Sequence, residues 1–189
     1  IQSQQAEDFD IVVRNTPGFV EMERVPNLRA RLVRINKTSL EDADVPPEMS
    51  WVKRYEFGAT YAADLPLRTN IADGVWWPDD YTGPPRISVD DDVVRGLGLK
   101  VGDTMTFNIL GREITAEITS TRNIDWSDFG INYVVMFAPG TLEAAPQTQI
   151  ATAAFDLTAE DEAYRRVTAA FPNVSTVRVR DVIQTASTL

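Results

Sequence analysis

The run Leu97-Gly98-Leu99-Lys100-Val101-Gly102-Asp103-Thr104 passes directly into Met105-Thr106-Phe107-Asn108-Ile109-Leu110 and a Gly111-Arg112 turn, and it constrains the fold more than any other stretch of the chain. Gly98 supplies a left-handed helix stop, so it is expected to have positive φ. Met105, Phe107 and Ile109 then alternate with Thr104, Thr106 and Asn108, and beyond the turn Ile114, Ala116 and Ile118 alternate with Glu113, Thr115 and Glu117. Both arms therefore present one apolar face, the pattern of a half-buried β-hairpin.

Composition excludes much of the remaining chemistry. A chain of 189 residues buries roughly 70% of its unfolded surface, enough for one sizeable core or two modest ones. It contains neither Cys nor His, which removes disulfides, Ser-His and Cys-His catalysis, and the nitrogen and sulfur ligands favoured by zinc, copper and iron. Its formal charge of −10 opposes phosphate backbones and anionic headgroups, so no nucleic-acid partner is expected.

Apolar spacing predicts a helix from Ser3 to about Asn15, ended by Pro17-Gly18, and strands at Phe19–Glu23 and Leu28–Asn36. In the second strand the apolar phase slips near Leu32, which predicts a bulge. From Lys37 to Pro85 periodicity mostly fails, only Tyr55–Ala62 reads as a strand, and Pro46-Pro47, Pro66, Pro78 and Pro84-Pro85 punctuate the segment. So long an irregular stretch marks a functional loop or an insertion. Ser88 and Asp91 have capping-box spacing ahead of Val89, Val93 and Leu97, which predicts a helix beginning at Ser88. Further strands are expected at Tyr133–Phe137, Gln149–Phe155 and Val174–Val179, with a helix capped by Thr158 that presents Tyr164, Val167, Ala170 and Phe171.

The chain begins at Ile1 and holds no run of 18 apolar residues; as given, it reads as water-soluble. Val182, Ile183, Ala186 and Leu189 keep helical spacing to the last residue with no stop signal, so the helix reads as cut and the chain as an excerpt.

Leu28–Asn36, Gly74–Tyr81, Leu97–Thr104, Arg122–Trp126 and Phe137–Leu142 stand in an order that resembles the MacB-like periplasmic core domain of FtsX-like ABC transporter permeases, closest to the YbbP-like branch of large permeases. The resemblance runs through nearly the whole chain. It implies an α+β, two-part periplasmic domain: a βαβ-type porter unit from the chain ends, residues 1–36 and 147–189, around a β-rich sabre-like insertion, 37–146. It further implies a bacterial inner-membrane protein with this domain in the periplasm. The partners would be transmembrane helices of the same permease, a cytoplasmic ATPase acting indirectly, and a periplasmic partner protein or lipid-linked cargo. The domain would couple ATP hydrolysis to export, extraction or mechanotransmission. The alternative class is a free-standing ligand- or polysaccharide-binding module.

Residue by residue, chemistry has little to build on. Asp90, Asp91 and Asp92, with Asp79, Asp80 and Asp103, offer oxygen ligands only, and the first three suit the first turn of a helix, where the dipole favours carboxylates. No metal or cofactor site is assigned. No serine occupies a Gly-x-Ser-x-Gly or Ser-x-x-Lys motif, so no catalytic residue is assigned and no enzyme is expected. The candidate partner or cargo surface is aromatic: Trp76, Trp77 and Tyr81 in one loop, Trp126 and Phe129 in a second. Amphipathic rings on loops anchor interfaces, or else pin irregular segments to a core. Burial is expected for most of the tryptophans, because loops rich in Pro and Gly have few other means of attachment.

Overall fold

The computed structural model describes residues 1–127 and 130–181. It is a mixed α+β fold dominated by strands, and it divides into two compact units. The first takes the described residues of Ile1–Val25, Ser127–Ile131 and Gln147–Leu189, and the second takes Pro26–Trp126 and Asn132–Pro146. Residues 26–36, placed by sequence with the chain ends, group instead with the middle of the chain.

The second unit is built on the hairpin read from sequence. Strand β6 (Thr104–Ile109) pairs antiparallel with β7 (Arg112–Asn123), Phe107 opposite Ile114 and Met105 opposite Ala116. The tip is Leu110-Gly111 and not Gly111-Arg112, with φ of 52° and 84°. Two successive left-handed residues give the primed turn whose twist matches the flanking strands.

The hairpin belongs to a closed sheet. Its other members are β1 (Phe19–Ile35), β3 (Phe57–Tyr61), β5 (Arg86–Asp90) and β8 (Val135–Phe137), and a two-residue strand, β2 (Thr38–Ser39), lies beside β1. Glu117 of β7 pairs with Thr104 on one side and Arg86 on the other. Ile87 pairs with Ile118 and Phe137, Phe137 also with Tyr61, and Ala59 with both Val135 and Leu28. Pairing of β1 with β6 completes the ring β1–β6–β7–β5–β8–β3, a small barrel whose interior side chains fill. Phe107, Phe137, Ile87, Met105 and Ile118 are fully buried there. The Phe107 ring lies 6.1 Å from Phe57 and 6.0 Å from Phe137, both edge-on, the arrangement that aromatic quadrupoles favour.

Two local readings are corrected. The strands expected at 19–23 and 28–36 form one strand, β1, through Pro26; proline's fixed φ suits extended backbone, and only its missing N–H limits pairing. The phase slip is real, because the β1–β6 register shifts between Leu32 and Arg34. Ser88 does not cap a helix: it lies in β5, and α2 (Asp91–Gly96) starts after Asp90, whose carboxylate accepts from the Asp92 N–H at 3.2 Å. At the other end Leu99 N–H bonds Val94 O and Gly98 N–H bonds Arg95 O, with Gly98 at φ 69°. That is a Schellman stop.

The first unit contains α1 (Ala6–Arg14), the start of β1, β9 (Thr148–Phe155) and α3 (Glu160–Ala170). Phe9 and Val13 of α1 pack with Val167 and Phe171, the Phe9 and Phe171 rings 5.6 Å apart. Helix α3 begins one residue later than expected, with Ala159 and not Thr158 at the N-cap and no side-chain cap; Glu160, Asp161 and Glu162 complement its dipole instead. Residues 174–178 form no strand. The expected continuation from Val182 to Leu189 lies outside the described residues.

Candidate functional site

Strand β4 (Asn70–Gly74) pairs antiparallel with the end of β7, and the chain leaves it at Gly74, φ 76°. A Cβ at that position would stand 2.2 Å from the Thr119 carbonyl oxygen, so only glycine fits the exit. The next residues carry the aromatic candidates. Trp77 is 3% exposed and donates its indole N–H to Ala62 O at 2.8 Å; Trp76 is half-buried and donates to Ala63 O at 3.0 Å. The two rings stack with centroids 4.0 Å apart. They clip the segment after β3 to the segment after β4, where the sequence offers no regular pairing. Tyr81 donates its hydroxyl to Pro84 O, and its ring lies under the Arg86 guanidinium, 4.5 Å from the centroid.

Trp126 does not share this arrangement. Its ring is 55% exposed, and its indole N–H bonds the Asp90 carboxylate. The expectation of burial thus holds for Trp77 and fails for Trp126. Phe129 lies outside the described residues.

Asp90 leads to a buried polar cluster that sequence reading missed. Strands β5 and β7 run parallel, and their register shifts after Ile87 so that Ser88 faces Ser120, Val89 faces Thr121 and Asp90 faces Arg122. Ser120 donates its hydroxyl to Ser88 Oγ at 2.8 Å; Arg122 donates Nε to Ser88 Oγ and Nη2 to the carbonyls of Ser88, Tyr133 and Val134. Thr121 donates to Asp91, which also pairs with Arg95. Burial pulls the Arg122 pKa down to about 10, and the nearby Asp90 charge opposes the shift. Burial raises the Asp90 pKa, helped by the like charge of Asp92 and opposed by hydrogen bonds from the Asp92 and Trp126 N–H groups and by the Arg122 charge.

This cluster is a structural clamp in its chemistry. The Arg122 bonds described end on backbone carbonyls and one hydroxyl, and the two serine hydroxyls bond each other. Asp91 is taken up by Thr121 and Arg95, and Asp103 by the Lys100 N–H and ammonium. Among the described residues no three acidic side chains converge on a metal-sized site. The sequence signal that could have exposed the cluster was Arg122 itself, a charged residue in a strand that its neighbours bury.

No family model matches the chain. The "Uncharacterized ABC transporter permease YbbP" of Escherichia coli (strain K12) is 26% identical over 130 residues, 69% of this chain. The chain spans 16% of the length of that relative. A solved domain assigned to a permease protein of Porphyromonas gingivalis aligns with 90% of this chain and 77% of its own at a TM-score of 0.49 and 11% identity. No helix among the described residues is long and apolar enough to cross a membrane. The chain is thus similar in sequence, over about two thirds of its length, to part of an ABC transporter permease.

Proposed function

We propose that this chain is the periplasmic, MacB-like core domain of an FtsX-like permease, a non-catalytic element that couples ATP hydrolysis by a cytoplasmic ATPase to export, extraction or mechanical signalling at the inner membrane. The observation that carries the reading is the 26% identity over 130 residues to an ABC transporter permease. The order of the five sequence blocks supports the finer subtype. The chemistry of the site agrees with a coupling part: the aromatic pair and the Arg122 clamp spend their hydrogen bonds on backbone carbonyls, holding irregular segments in place. Its partners would be the transmembrane helices that flank it and, through them, the ATPase. A periplasmic protein or lipid-linked cargo would meet its outer surface.

The full-length protein tests the reading. Membrane-spanning segments on both sides of this chain are expected, together with a co-purifying ATPase. This chain has no cysteine, so once any cysteines elsewhere in the complex are replaced, spin labels at Asp8→Cys and Asp79→Cys report on one site in each unit. With the complex in nanodiscs, the distance distribution between the labels is expected to change on addition of ATP and vanadate. A signal peptide with no later membrane span, or a distribution indifferent to nucleotide, would defeat the proposal.

A further inference from the structure

The structure assigns a docking site for an extended, basic segment of a partner protein to the outer edge of β4 and the turn before it. The occupant is the periplasmic partner named above, so its biological identity rests on that reading; the surface itself is argued from β4 and its flanks.

Strand β4 ends the hydrogen-bonded path of the sheet, and β7 is its one strand partner among the described residues. Edge strands are normally guarded by lysine, proline or a covering element. β4 has neither lysine nor proline; its register with β7 shifts once, between Ile71 and Asp73, and the carboxylate of its one charged side chain, Asp73, is turned onto the adjacent Gly74 N–H. Apolar side chains stand exposed at both ends: Leu67 at 95% and Leu65 at 41% before the strand, Val75 at 77% after it. The two indole bonds to Ala62 and Ala63 tie these flanks together, so they form one surface. Leu67 sits in the turn closed by the Thr69 N–H to Pro66 O, and the next residue, Arg68, is held at φ 64°. A non-glycine residue in the left-handed region is strained, and this strain presents a leucine to solvent, which does nothing for the fold.

Charge selects the occupant. Residues 62–81 expose Asp64, Asp73, Asp79 and Asp80 against a single basic residue, Arg68. An acidic rim around an apolar strip favours a basic segment with apolar side chains, and an open strand edge favours one in extended conformation. The same rim repels an anionic membrane, and a second copy of this chain would bring acidic edge against acidic edge.

The test needs neither membrane nor ATPase, so it fails independently of the coupling role. The chain is titrated with a short acetylated peptide of alternating lysine and valine while backbone amide shifts are followed by NMR. Shifts concentrated on residues 67–75 are expected. Affinity should fall about tenfold in Leu67→Ser/Val75→Ser and about fivefold in Asp64→Asn/Asp79→Asn/Asp80→Asn, with unchanged circular dichroism in both. An alternating glutamate-valine peptide should not bind. Shifts centred elsewhere, unchanged affinity in the first variant, equal binding of the acidic peptide or no shift at millimolar peptide would each overturn the assignment. So would self-association, or binding to neutral vesicles, that Leu67→Ser/Val75→Ser abolishes.

Discussion

Arg122 Nη2 donates to the Tyr133 carbonyl at 2.8 Å, so the end of β7 and the approach to β8 are joined through a side chain where no sheet pairing joins them. Arg122→Met would leave the Ser88 and Tyr133 carbonyls without this donor, while the Val134 carbonyl keeps the Asp90 N–H at 2.9 Å. At about 1–3 kcal/mol for each orphaned group, partly relieved by rearrangement, the expected loss is on the order of 3–5 kcal/mol. Urea denaturation of the variant checks it, and Arg122→Lys, which restores one donor, should lie between the two.

The aromatic residues should separate by burial. Trp77→Ala removes a ring that is 3% exposed, together with the bond to Ala62, and should cost roughly 3–5 kcal/mol. Trp126→Ala removes a ring that is 55% exposed and should cost about 1 kcal/mol or less, for one hydrogen bond. Thermal unfolding of the two variants reads the difference directly.

Two glycines test backbone strain against steric exclusion. Gly98 has φ 69° and open space where a Cβ would stand, so Gly98→Ala should cost only the left-handed penalty, about 1–2 kcal/mol. Gly74→Ala adds a Cβ clash with the Thr119 carbonyl and should destabilise more. A smaller melting-temperature drop at Gly74 would show that the β4 exit is less constrained than its geometry requires.

Asp90 gives a pH signature. Its folded pKa is raised, chiefly by burial, so the native state holds the proton more tightly than the unfolded chain does. This contribution to stability is fully present below the ordinary carboxylate pKa and is lost as pH rises through the folded value. Asp90→Asn keeps an oxygen acceptor for the Asp92 and Trp126 N–H groups and removes the titration. Its stability relative to wild type should therefore be most favourable at neutral pH and should shrink as pH falls through the carboxylate range, measured as denaturation midpoints across that range.

The sequence by itself determined what depends on near neighbours. The β6–β7 hairpin, the Gly98 stop and the bulge near Leu32 were legible because alternation and turn chemistry act over a few residues, as the Phe107–Ile114 register shows. Local signals misled where a residue's role was set from afar. Ser88-x-x-Asp91 has the spacing of a capping box, yet pairing with β7 holds Ser88 in a strand and moves the cap to Asp90. Phe19–Glu23 and Leu28–Asn36 read as two strands, yet the backbone continues extended between them through Pro26. The tertiary structure alone decided the closure of the barrel, the burial of Trp77 against the exposure of Trp126, and the Arg122 clamp. Each rests on pairings between residues far apart in sequence, such as Ala59 with Val135 or Ser88 with Ser120. Periodicity records which face of a strand is apolar; only the closed chain decides what that face meets.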